Sequence, residues 1–105
     1  MQRVTLSGTL VTDVFRQLDK NGRQYIRFTL ACGTLNTNQR MEYTYYKCVS
    51  YIRGFDELKK GDQLFLTGKL QATIGYNEDR SPMLNLLVSV TEMTGGQKEE
   101  DKKKK

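Results

Sequence analysis

The sequence predicts an all-β protein folded as a small closed barrel. Three observations carry that expectation. Apolar residues recur at every second position in separate stretches, the period of a half-buried strand. Polar, turn-forming segments divide the stretches, and apolar residues at helical spacing occur over one short segment only. With 105 residues, the chain supports one domain around one core.

Taken in order, Arg3 to Val11 sets Val4, Leu6, Gly8 and Leu10 against Thr5, Ser7 and Thr9. Asp19-Lys20-Asn21-Gly22 is a turn, Asn-Gly being a strong hairpin signal. Gln24 to Cys32 places Ile26, Phe28, Leu30 and Cys32 on one face and Tyr25, Arg27 and Thr29 on the other. The polar run from Gly33 to Arg40 reads as a loop, and the aromatic, β-branched run from Tyr43 to Ile52 as a third strand. Between Arg53 and Gly61, Phe55 and Leu58 lie three apart ahead of Lys59-Lys60-Gly61, which predicts a short helical turn stopped by glycine. Gln63 to Leu70 alternates again, Ile74 to Pro82 is a loop containing Tyr76, and Met83 to Thr91 is the fifth strand. Phe28, Leu30, Leu66 and Leu86 are expected in the core.

Composition narrows the function classes. No run approaches the roughly eighteen apolar residues of a membrane span, and Met1 to Gly8 lacks the apolar stretch of a signal peptide. A cytoplasmic protein with no membrane partner is the expectation. Histidine is absent, and Cys32 and Cys48 both sit in apolar-patterned runs, so buried thiols are expected rather than a metal site. No nucleophile–base or paired-carboxylate arrangement is evident, so no catalytic residue, cofactor or enzymatic activity is expected. The formal net charge is +5, but residues 1–94 hold twelve Lys/Arg against nine Asp/Glu. The rest of the excess belongs to residues 95–105, a charged stretch ending in four lysines that is expected to be a disordered tail behind a domain over 1–94. Such a balance permits a nucleic-acid partner without demanding one.

Five strands with one short helical turn between the third and fourth is the order of an OB-fold, a five-stranded Greek-key barrel. Pattern alone leaves a sandwich or an SH3-like barrel open. Three stretches add to it: Arg3-Val4-Thr5-Leu6-Ser7-Gly8-Thr9-Leu10, Tyr25-Ile26-Arg27-Phe28-Thr29-Leu30-Ala31, and Leu58-Lys59-Lys60-Gly61-Asp62 followed by Leu66-Thr67-Gly68-Lys69-Leu70-Gln71. In order and spacing they resemble the bacterial single-stranded DNA-binding protein family, including its primosomal replication protein B paralogues, over about residues 3–94. The resemblance implies an OB barrel, sequence-independent binding of single-stranded DNA, and a homo-oligomer, a tetramer in preference to a dimer. It departs from the family in three places. The chain has no tryptophan, its approach to the third strand carries no aromatic, and its last residues are lysines where family members carry an acidic tip that recruits other proteins. The last departure removes the family's recruiting element and is what the primosomal replication protein B paralogues show, so a primosome-type adaptor, with replication or restart proteins as its partners, is the alternative reading. A cold-shock type of RNA-binding OB domain would need interleaved Phe-rich and Gly-rich strand motifs that the chain lacks.

Non-specific single-strand binders need aromatic faces for bases and cations for phosphates. Tyr45, Lys47 and Tyr51 share one face of the third strand by alternation, while Tyr46, Cys48 and Ser50 take the other. By the resemblance, Tyr45 and Tyr51 fall where the family stacks bases and Lys47 at a basic position between them. Tyr76 falls near a further stacking position, and Arg3, Arg53, Lys60 and Lys69 match basic positions that contact phosphates. Tyrosine is also an ordinary strand residue, and Tyr43 is left unassigned. Arg27 and Arg80 are weaker candidates.

Overall fold

The computed structural model describes residues 2–55 and 57–95. Its strands are β1 (Gln2–Leu10), β2 (Phe15–Leu18), β3 (Gln24–Leu35), β4 (Met41–Ser50), β5 (Gln63–Tyr76) and β6 (Pro82–Gly95). They form one sheet in the order β1-β5-β6-β4-β3-β2, closed by a further β1–β3 pairing at Thr9↔Ala31 and Leu10↔Leu30. All neighbours are antiparallel except β4 and β6, which run parallel over residues 47–49 and 87–89. Closure depends on Gly8. Any side chain there would strike the carbonyl of Ala31, so only glycine lets β1 cross onto β3.

Six strands stand where five are expected. The additional one, β2, pairs with β3 from Phe15↔Arg27 to Leu18↔Gln24. Together β1 and β2 act as one barrel strand that changes partner: β1 runs along β5, then Val11 N donates to Thr29 O and Thr12 Oγ1 accepts from Thr29 N.

The loops at 33–40 and 74–82 are shorter than the sequence suggests. All three hairpin turns share one construction. Asp19, Asn36 and Asn77 each accept at Oδ1 from the backbone N–H two and four residues on. In each, the backbone N–H three residues on donates to the carbonyl of the Asp or Asn. The residue at that third step, Gly22, Gln39 or Arg80, has positive φ. Five residues therefore suffice to turn the chain, and β3–β4 and β5–β6 continue outward as two long arms.

The core gathers Leu6, Leu10, Ile26, Phe28, Leu30, Cys48, Leu58, Leu64, Leu66, Val88 and Met93. Each fully buried aliphatic side chain contributes about 1.5–3 kcal/mol of transfer free energy. Leu86 is not among them: it is half-buried, because at Ala72↔Leu86 the β5–β6 arm has already left the barrel. Cys32 is also only half-buried.

The helical turn expected between Arg53 and Gly61 is not formed among the described residues, which make turns and bends. Gly54 and Gly61 take φ of 98° and 99°, outside a right-handed helix, and the stretch between them is too short to repay helix nucleation. The barrel satisfies the backbone instead. Gly61 N donates to Leu10 O and Leu10 N to Asp62 O, both at 2.8 Å, while Asp62 Oδ2 accepts from Lys59 N at 3.1 Å. Leu58 anchors the segment in the core, and Phe55 packs half-buried against it. Gly95, where the charged tail is expected to begin, is the last residue of β6, and the remainder of that tail lies outside the described residues.

Candidate nucleic-acid interface

On β4 the alternation is as read from the sequence. Cys48 and Ser50 are each 1% exposed, and Tyr46 is half-buried against the core. Tyr45 is 57% exposed on the opposite face, with Lys47 exposed two residues on. Ala31 and Gly33 of β3 lie opposite Tyr45 and Tyr43. The Tyr43 ring lies over Gly33, where a side chain would strike it. Tyr43, unassigned from the sequence, is 56% exposed on the same face, and its place in the alternation was the available signal. Successive same-face residues lie about 6.6 Å apart, close to the spacing of unstacked nucleotides along a strand.

Tyr51 falls one residue beyond the end of β4 rather than within it. The Ser50 hydroxyl accepts from Ile52 N at 3.1 Å and bends the chain there. Its neighbours come from the β2–β3 hairpin. The Tyr51 hydroxyl donates to Asp19 Oδ2 at 3.0 Å, its ring meets that of Tyr25 at 5.3 Å, and the Arg23 guanidinium lies 4.7 Å from its centroid. The Arg23 backbone N–H, first among several donors, holds the Asp19 carboxyl below its usual range. The bond to Asp19 in turn pushes the Tyr51 phenol up. Arg53 lines the same hollow as Tyr51, Arg23 and Gln24. This corner is an aromatic pair with a cation already seated on one ring. The sequence shows none of it, because Asp19 and Arg23 meet Tyr51 only through the fold.

The other expected site residues lie elsewhere. Arg3 and Lys69 are direct cross-strand neighbours on β1 and β5, where like charges repel unless an anion lies between them. Through Lys69↔Ser89 and Val49↔Ser89 they share a register row with β4. Lys60 is exposed beside Gly61, at the end of β1. Tyr76 belongs to β5 and not to a loop, paired with Pro82 at the tip of the β5–β6 arm. It alternates with Ile74, on the face opposite to Leu87 and Lys47, so the structure does not join it to the β4 row.

A closed five-stranded barrel with one parallel strand pair, its first strand divided into β1 and β2, defines the OB-fold, here with an aromatic and cationic outer face. Residues 1–94 match the Single-strand binding protein family, and the chain belongs to that family. Among solved structures it is similar to the small single-stranded DNA-binding protein from Streptomyces coelicolor, with TM-score 0.72, 13% identity, and coverage of 93% of this chain and 96% of that one. It is also similar to the Plasmodium falciparum SSB in its complex with ssDNA, with TM-score 0.69, 14% identity, and coverage of 90% and 94%. At these identities the likeness is one of fold. Comparison with curated protein sequences found no match.

Proposed function

We propose that this protein binds single-stranded DNA without sequence specificity and without catalysing a reaction, in the cytoplasmic work of replication, recombination or repair. The observation that carries the reading is the outer face of β4, where Tyr43, Tyr45 and Lys47 stand exposed at alternate positions on a strand whose other face turns to the core from Tyr46 on. Every base offers a π-face, so a tyrosine stacks any of them, at about 1–3 kcal/mol per base. Lys47, Arg53, Lys60 and the Arg3–Lys69 pair add phosphate contacts that depend on salt and not on sequence. Tyr51 stacks a further base once Arg23 yields its ring, while Tyr76 stands on the other face of the β5–β6 arm and is outside this track. One barrel offers a short track, so the active form joins several barrels in a homo-oligomer, a tetramer in preference to a dimer.

A primosome-type adaptor that also binds replication-restart proteins is the second reading. Sedimentation of the purified protein with and without oligo-dT tests both readings. A tetramer whose boundary shifts with oligo-dT supports the DNA-coating role, and a dimer supports the adaptor. A monomer indifferent to oligo-dT refutes the proposal.

A further inference from the structure

We propose that the groove bounded by β2, β3 and β4 is a nucleotide subsite of a single-stranded nucleic acid, in which Arg27 and Lys47 share one phosphate and Phe15 stacks the adjoining base. The proposal rests on the single-strand reading and adds Phe15 and Arg27 to it.

Register places these groups together. Phe15 is the direct partner of Arg27, Arg27 of Val49, and Lys47 of Thr29. Arg27 and Lys47 are thus diagonal neighbours on one face, about 7–8 Å apart at the backbone, a span that long cationic side chains close. Both line one groove of about 190 Å³ with Phe15, Thr29, Val49 and Leu87. That equals roughly six water volumes, room for a phosphodiester group and part of its sugar.

The cation is already held in place. Arg27 Nε donates to Gln17 Oε1 at 2.9 Å, and the same oxygen accepts from the Tyr25 hydroxyl at 3.0 Å. A guanidinium fixed through Nε keeps its planar fork of terminal N–H groups for an anion. Its carbon lies 5.8 Å from the Phe15 centroid, so the fork stands beside the ring on which the base would stack. Phe15 is 52% exposed on an edge strand, which leaves about half of the residue open to a ligand.

The same row explains why the ligand is a polymer. From Arg27 the register passes through Val49 and Ser89 to Lys69 and Arg3. Cations at one level around the barrel match a phosphate backbone crossing the strands; a free nucleotide would need only one of them.

The test is fluorescence anisotropy of labelled oligo-dT with the intact protein and with Phe15→Ala, Arg27→Gln and, as a control, Phe65→Ala. Phe65 is 53% exposed on β5 and belongs to no part of the site. Phe15→Ala is expected to weaken binding about 5- to 100-fold, the worth of one stacked base. Arg27→Gln should weaken it and lower the salt slope by about 0.7. Phe65→Ala should bind as the wild type does. If Phe15→Ala fails to fold by circular dichroism, Phe15→Leu, which keeps apolar volume and removes the π-face, must show the loss. Unchanged binding by the Phe15 and Arg27 variants overturns this subsite and leaves the single-strand reading standing. Wild-type protein that ignores oligo-dT overturns both. A parallel titration with thymidine monophosphate should not saturate where oligo-dT does, and saturation that Arg27→Gln abolishes overturns the polymer track in favour of a free-nucleotide site.

Discussion

Replacing Arg80 by glycine should stabilise the arm whose tip it occupies. Arg80 has φ of 66° and Gln39 of 65°, and both stand at the turn position that Gly22 fills with φ of 81°. A left-handed backbone costs an L-residue about 1–2 kcal/mol through the clash of Cβ with the carbonyl oxygen. Glycine returns about 0.4–1 kcal/mol of that, because its unfolded chain is freer. Arg80→Gly and Gln39→Gly are therefore each expected to gain roughly 0.5–1 kcal/mol, and Gly22→Ala to lose about 1 kcal/mol by the same steric clash. The turn hydrogen bonds at Asn77 survive the change, since Asn77 Oδ1 accepts from backbone N–H groups that glycine retains. Native-state amide exchange across Thr73–Tyr76 and Met83–Leu86 reads the arm directly, including opening that never unfolds the barrel. Faster exchange throughout the arm in Arg80→Gly would refute the shared-turn account and show that the arginine side chain, not the backbone, holds the tip.

Other consequences are equally open to measurement. Cys48→Asp should cost several kcal/mol and collapse the fold, because it puts an unpaired charge in a buried site; Tyr45→Ala should melt near the wild type yet lose about 1–3 kcal/mol of oligo-dT affinity, and the opposite pattern would mean that the strand phase is inverted. Burial, with Cys32 nearby, pushes the Cys48 thiol up to about 12, a raised acid pKa whose stability contribution is present below pH 9 and lost as pH rises from 9 towards 12. The midpoint of denaturant unfolding should fall across that window and fall less in Cys48→Ala; identical slopes would contradict the burial argument. The depressed Asp19 carboxyl contributes above its unfolded pKa and loses that contribution as pH falls through the lower folded value. The raised Tyr51 phenol contributes below pH 10 and loses that contribution above it. Spectrophotometric titration of tyrosine should show one group ionising late in the wild type and not in Asp19→Asn, and superimposable curves would mean that the pair does not form in solution.

Strand phase was legible in the sequence wherever one face is core, since side-chain period two leaves Cys48 and Ser50 no choice once Tyr46 points inward. Loop lengths were not, because Asn36 and Asn77 compress their turns through side-chain hydrogen bonds that composition does not show. Strand β2 escaped notice because all four of its residues are exposed and nothing alternates. The same limit governs the site. Tyr45 and Lys47 share a strand and could be read together, as Tyr43 could have been. The Tyr51–Asp19–Arg23 corner and the Phe15–Arg27 pair depend on register and hairpin geometry, which local sequence does not specify. The β5–β6 hairpin runs on beyond the barrel, which carries Leu86 out of the core its alternation suggested and puts Tyr76 at the end of a strand where a polar loop was expected.

The central claim is that unstacked bases, and not phosphates alone, are what this surface binds. Anisotropy titrations of a single strand and of a duplex of the same length, at one salt concentration, test it most directly. The exposed tyrosines of β4 engage only bases free of a stack, and the mild positive charge of residues 1–94 gives a duplex little beyond its phosphates. The single strand should bind far more tightly. Equal affinity for the two would contradict the account and make this a general polyanion-binding barrel.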